Sequence, residues 1–221
     1  MINKQVATIA EALTGITSGA TVLCAGFGAV GEPVTLMNAL RERGVRDLVV
    51  VSNNAGTGED GLAGLIKAGC VRKVICSYPR TTDPHIFEET YRAHKIELEL
   101  VPQGTLSERM RAGAAGIGAF YTRVSVGTKL AEGKEHREID GKLHVLEWPI
   151  KGALALIRGD RADRWGNVMF RKSARNFNPV MAMAAHITVA EVREMVPLGA
   201  FDPDTVHLPG IFVDRVVMVP S

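Results

Sequence analysis

The sequence predicts an α/β protein: an open, mostly parallel sheet with helices on both faces, supplemented by a glycine-rich loop and a β-hairpin region. Three observations predict it. Strand-like and helix-like segments alternate from residue 21 to residue 101, helix punctuation falls where the pattern wants it, and an Asp140-Gly141 turn joins two later strand-like runs.

The first strand is read over TVLCAG (21–26) and the helix after it over EPVTLMNALRERG (32–44). There Val34, Leu36, Met37 and Leu40 approximate one face, Pro33 suits the first helical position and Gly44 suits the stop. LVVVS (48–52), VRKVICSY (71–78) and IELELV (96–101) are the next strands, separated by helices over GEDGLAGLIKAG (58–69) and DPHIFEETYRAH (83–94). From Gly113 to Gly133 the chain turns glycine-rich, and REIDGKLHVLE (137–147) then reads as a hairpin laid on the main sheet. ALALIRG (153–159), HITVAEV (186–192) and IFVDRVVMV (211–219) continue the sheet in mixed orientation. With no internal repeat, low-complexity tract or linker, residues 1–221 are expected to form one domain.

Composition narrows the function. A net charge of +2, with basic residues scattered and not gathered into a stripe, argues against nucleic acid. Cys24, Cys70 and Cys76 lie in apolar runs without a CxxC pair, so neither a disulfide framework nor a zinc site is expected, and a reducing cytoplasm fits. The six histidines show no close ligand spacing, so no metal is expected. No apolar run approaches the ~20 residues that span a bilayer, and the N-terminal stretch has the spacing of an amphipathic helix and not of a signal peptide. No GxSxG elbow is present, which lowers the case for a serine thioesterase.

Gly26, Gly28 and Gly31 form GxGxxG between a predicted strand and a predicted helix, the context of a dinucleotide fingerprint. Such a fingerprint also wants an acid at the end of the second strand, and here LVVVS runs into Asn53 and Asn54. Glu32 would in addition place a negative charge where a pyrophosphate meets the helix N-terminus. An NAD-dependent oxidoreductase is therefore a distant alternative, and a tight strand-to-helix turn is the plainer explanation of the glycines.

GATVLCAGFGAVGEP (19–33), SNNAG (52–56), VPQGTLSERMRAGAAGIGAFYT (101–122), GTKLAEGKEHREIDGK (127–142), FRKSARNFNP (170–179) and HLPGIFVDRVV (207–217) together resemble the A subunit of the family I CoA-transferases. The resemblance covers essentially the whole chain. Residues 57–80 are most similar to family members that act on 3-oxoadipate, whereas HLPGIF is also similar to members that act on acetoacetate and related 3-oxo acids. In this family the B subunit carries the nucleophilic glutamate at a strand end, and the matching segment here is Ser52, Asn53, Asn54, Ala55, Gly56. An amide cannot attack a thioester, so the resemblance implies no catalytic nucleophile in this chain and a B-subunit partner, as two A and two B chains.

It also implies a reaction that moves CoA from succinyl-CoA to a 3-oxo acid, with the CoA thioester as substrate and no further cofactor. Asn53, Asn54 and Gln103 would line the pocket with neutral donors for an oxyanion, each such donor being worth roughly 3 to 4 kcal/mol. The competing readings are a turn after the strand for the two asparagines and a helix cap for Gln103. Gly26, Phe27, Gly28 and Gly31 would let backbone approach the substrate or the partner. Glu132 to Glu135 is either a CoA contact or a solvated loop, the latter favoured because charge runs usually face water. Arg171, Lys172 and Arg175 could meet CoA phosphates or a substrate carboxylate, or could serve structural ion pairs.

Overall fold

The structure is a computed structural model describing residues 2–219; Met1, Pro220 and Ser221 of the expected 1–221 domain lie outside the described residues. The elements, in order, are α1 (Ile9–Ala12), β1 (Thr21–Cys24), α2 (Val34–Glu42), β2 (Leu48–Val51), α3 (Gly61–Lys67), β3 (Val71–Cys76), α4 (His85–Arg92), β4 (Glu97–Leu100) and α5 (Gln103–Ala114). They continue with β5 (Phe120–Thr122), β6 (His136–Ile139), β7 (Lys142–Glu147), β8 (Gly152–Asp163), β9 (Val168–Met169), α6 (Asn178–Met183), β10 (Ala185–Val196) and β11 (Arg215–Met218).

The main sheet runs in the order β11-β10-β8-β1-β2-β3-β4. These strands are all mutually parallel, and only the two-residue β9 runs antiparallel, against β8. The mixed orientation expected for the C-terminal strands is thus corrected. β8 and β10 pair in parallel from Ala185↔Gly152 to Val196↔Asp163, and α6 supplies the crossover that a parallel pair requires.

Side-chain alternation divides the interior into two layers. Val22 and Cys24 of β1 point into a core shared with Leu36, Met37 and Leu40 of α2, Leu62 and Leu65 of α3, and Ile86 and Phe87 of α4. Leu23 and the following Ala25 point the other way, toward Leu106 and Met110 of α5 and Met181 of α6. Helices therefore cover both faces, as the sequence predicts.

Gly44 ends α2 with φ 71°, a left-handed position open to glycine, while Pro33 sits one residue outside the helix as its N-cap. The hairpin forms where expected: Asp140 (φ 52°) and Gly141 (φ 68°) turn β6 into β7, the positive-φ pair a two-residue type I′ connection needs. β5 then adds to β7, making a separate three-stranded sheet in place of a hairpin laid on the main one. Helix α5 has no counterpart among the elements predicted from the sequence, because Gly104, Thr105 and Gly113 dilute its periodic signal. Gly113 is required at that point, since a Cβ there would lie 2.2 Å from the Ile150 carbonyl oxygen.

Because the strands run the same way, their C-terminal ends share one edge of the sheet. The chain leaves β1 toward β2–β4 on one side and returns as β8, β10 and β11 on the other. β1 thus marks the switch point where open α/β sheets bind ligands.

Candidate functional site

The loop after β1 is a small hairpin. Phe27 and Val30 exchange both backbone hydrogen bonds (3.0 and 3.2 Å) across Gly28-Ala29, and Gly28 has φ 59°. A positive φ at the first central residue alone is the type II′ pattern, which explains a glycine at 28. The tip projects from the sheet with Phe27 and Val30 about half exposed.

After β2 the chain enters Ser52, Asn53 and Asn54, all buried. Asn53 is held by its neighbours: Oδ1 accepts from Ser77 Oγ (2.7 Å) and Gln103 Nε2 (2.8 Å), and its main-chain oxygen accepts from Ser77 and Tyr78 N–H (3.2 and 3.1 Å). With Oδ1 accepting from both, the Asn53 N–H groups have no partner among the described residues. Asn54 takes the other role weighed from sequence. Its Oδ1 accepts from Gly56 N–H (2.9 Å), an Asx turn that carries the chain toward α3. Gln103 is the first residue of α5, yet its side chain reaches to Asn53 and does not cap the helix.

Asn53, Asn54, Gln103, Phe27 and Gly28 come together around one cleft of about 760 Å³. Its remaining wall is Ala29, Ser77, Tyr78 and three threonines, Thr57, Thr81 and Thr82, so no charged side chain among the described residues lines it. Gly26 and Gly31 do not line the cleft. Gly26 (φ 127°) packs on the Glu32 backbone, and Gly31 (φ 73°) lies so close to the 174–178 segment that a Cβ would sit 2.7 Å from Ala174 O. Their role is to let the loop fold back.

Three side chains secure that loop: Asn178 and Glu191, buried and not singled out in the sequence, and the half-buried Glu32, noted there for its charge. Asn178, fully buried, donates to Gly31 O (3.1 Å) and Ala174 O (2.9 Å) and accepts from Arg158 N–H (2.8 Å). Glu191, fully buried on β10, accepts from Leu36 N–H at the start of α2 (3.0 Å), and Arg158 Nε lies 3.8 Å from its other oxygen. Glu32 Oε1 accepts from Leu62 N–H (3.2 Å) at the start of α3, and its main-chain oxygen takes Arg158 Nη1 (3.4 Å). Burial raises both carboxyls, Glu191 to about 7, while the N–H groups at the start of α2 and Arg158 pull Glu191 back down.

This arrangement removes the dinucleotide reading. The start of α2, where a pyrophosphate would sit, is occupied by the Glu191 carboxylate, and the acid the ribose would need is replaced by Asn53 and Asn54. In the 132–135 segment Lys134 pairs with buried Glu147 (2.5 Å) and Glu135 accepts from Tyr121 and Arg137, so these two charges are engaged locally. Arg171, Lys172 and Arg175 form no ion pair among the described residues, against the structural role considered for them. Among the described residues no group of three or more His, Cys, Asp or Glu could hold a metal, and no helix is long and apolar enough to cross a membrane.

A parallel sheet with a glycine hairpin at its switch point and a neutral, amide-floored cleft beside it defines a class, and the sequence match names it: the chain belongs to the Coenzyme A transferase family, matched over residues 6–218. It is 55% identical to the A subunit of 3-oxoadipate CoA-transferase from Pseudomonas putida over 99% of this chain and 95% of that protein. It is 52% identical to the A subunit of succinyl-CoA:3-ketoacid coenzyme A transferase from Xanthomonas campestris over 97% of this chain and 88% of that one. Both relatives are named as subunits, which implies a partner chain.

Among solved structures, glutaconate coenzyme A-transferase from Acidaminococcus fermentans superposes with a TM-score of 0.85 at 20% identity, covering 98% of this chain and 76% of that one. An acyl-CoA transferase apoenzyme from Escherichia coli gives 0.85 at 24% identity, covering 98% of this chain. The chain spans about half of that polypeptide, 47%. These two likenesses establish the fold.

Proposed function

We propose that the chain is the A subunit of a CoA-transferase that moves CoA from succinyl-CoA to 3-oxoadipate. The working enzyme is cytoplasmic and holds two copies of this chain and two of a B subunit. The acid that attacks the thioester belongs to the B chain. The carboxylate first forms an acyl anhydride, releasing CoA thiolate; the thiolate then attacks the enzyme acyl carbon, giving a glutamyl-CoA thioester and freeing succinate. The same two steps in reverse load the 3-oxo acid, so CoA itself serves as substrate and no further cofactor is needed.

One observation carries this reading: at the end of β2, where a nucleophilic acid would stand, a buried asparagine is fixed by Ser77 and Gln103 in a cleft without a charged side chain. Each carbonyl addition builds an oxyanion. The N–H groups of Asn53 are the donors left free to meet it, while Gln103 positions Asn53. An ionised residue in the same place would repel the oxyanion and the incoming carboxylate.

Acetoacetate is the second acceptor to consider, favoured by the 52% identity to a chain of a succinyl-CoA:3-ketoacid enzyme. The test is reconstitution with the B chain. Turnover of 3-oxoadipate at least ten times more efficient than that of acetoacetate is expected, and CoA transfer by this chain in rigorously purified isolation would overturn the proposal.

A further inference from the structure

A chain of five charged side chains runs from the β4 border of the main sheet to the separate three-stranded sheet. Lys73 Nζ on β3 meets Glu99 on β4 (2.6 Å), and Glu99 accepts from Arg109 Nη1 on α5 (2.9 Å). Arg109 Nε lies 3.7 Å from Glu147 at the end of β7, and Glu147 accepts from Lys134 Nζ (2.5 Å). The charges alternate in sign along its length. Burial alone would raise the Glu99 carboxyl, but Lys73 and Arg109 hold it below its ordinary value.

Arg109 stands in the middle of this chain with its side chain only 14% exposed. Besides facing the two carboxylates, its Nε donates to Trp148 O (2.7 Å), and its main-chain oxygen accepts from Ile150 N–H (2.8 Å). Helix α5 is thereby tied to β4 on one side and to the connection between β7 and β8 on the other. The N-terminal end of the helix has no comparable anchor. Pro102, its N-cap, makes no side-chain hydrogen bond, and the buried Thr105 Oγ1 has no partner among the described residues. What α5 presents at that end is Gln103, about 9 Å along the axis from Arg109, whose Nε2 donates to Asn53 Oδ1 (2.8 Å). Leu106 and Met110 press the helix onto the sheet, but apolar burial is non-directional and leaves sliding and rotation of the helix soft. The directional bonds at Arg109 remove that freedom.

We propose that Arg109 is a positioning residue for the transfer reaction: through α5 it sets Gln103, and Gln103 sets the Asn53 amide that meets the oxyanion. The inference rests on the CoA-transferase reading above. Arg109 does not line the cleft, so its influence is carried by the helix. Such influence can be large, because a misplacement of about 1 Å at a reacting centre can cost about a hundred-fold in rate.

The experiment is a double-mutant cycle in the reconstituted pair, with succinyl-CoA and 3-oxoadipate as substrates. Arg109→Met keeps an unbranched side chain and removes the charge and the donors. Alone it should lower kcat about ten-fold and leave both KM values within about two-fold, and Gln103→Ala alone should also lower kcat about ten-fold. In the Gln103→Ala background, Arg109→Met should lower kcat less than about two-fold further, because the bond through which it acts is already gone. A merely structural arginine predicts equal losses in both backgrounds, and that result overturns the assignment. So does a kcat unchanged by Arg109→Met, or by Gln103→Ala, in the otherwise unmodified pair. Should Arg109→Met fail to fold, Glu99→Gln weakens the same link at a side chain that is 33% exposed. Its loss in kcat, about three-fold, should likewise vanish in the Gln103→Ala background, and a loss that persists there overturns the assignment. Absence of any CoA transfer by the unmodified pair sinks the functional reading, whereas failure of the cycle in an active pair sinks only the role given to Arg109.

Discussion

The two flanks of the glycine hairpin are built on opposite electrostatic plans. On the β2–β4 flank, neutral amides and hydroxyls line the cleft and Asn53 is held by two hydrogen bonds of 2.7 and 2.8 Å. On the β8–β10 flank, the buried Glu191 carboxyl and Arg158 lock the loop in place, and the half-buried Glu32 carboxyl ties it to α3. The contrast teaches a division of labour: charge is spent on positioning the hairpin and withheld from the cleft proposed to receive the acyl groups.

The sharpest way to break that contrast is to carry charge across it. Asn53→Asp keeps an acceptor for Ser77 and Gln103 but removes both N–H donors and adds a carboxylate to the cleft. In the reconstituted pair kcat should fall about a hundred-fold or more, as for loss of one oxyanion donor. Activity within about ten-fold of the unmodified enzyme would mean that the neutrality of the cleft does no work.

The positioning flank is tested through stability. Gly31→Ala combines φ 73° with a Cβ 2.7 Å from Ala174 O and 3.0 Å from Asn178 Nδ2, and should cost about 2–4 kcal/mol in denaturant melts. Gly28→Ala at the tip, with φ 59° and open space around it, should cost only about 1 kcal/mol. Equal losses would show that the clasp around Gly31 contributes nothing beyond backbone conformation.

Glu191 gives the subtlest distinction. Its carboxyl titrates near 7 in the folded chain against an ordinary value of 4.5, so the stability it contributes is complete below about pH 4.5 and is lost as pH rises through about 7. Glu191→Gln retains an acceptor for Leu36 N–H and should flatten the stability profile between those limits. Parallel profiles for the two proteins would remove Glu191 from the titration.

Much of this was legible from local pattern. Each strand from 21 to 101 was set by a short apolar run, and Asn53, Asn54 and Gln103 stood at strand ends, where a parallel sheet gathers its loops. Gly31 was visible as a glycine, but the reason for it was not, because its neighbour Asn178 is 147 residues away. Glu191 was hidden for the same reason. Within HITVAEV it reads as one polar residue of a half-buried strand, and its partner Leu36 is 155 residues distant. The FRKSARNFNP segment drew notice for its cations, whereas Asn178, the amide that clasps the loop, was not singled out.

The outer border of the sheet has its own consequence. β4 is only four residues, Glu97–Leu100, and Glu99 on it already answers Lys73 at 2.6 Å and Arg109 at 2.9 Å. Another polypeptide laid alongside would have to bring its backbone against this short, acidic rim. A short, charged edge of this kind discourages strand-to-strand extension at the β4 side of the sheet.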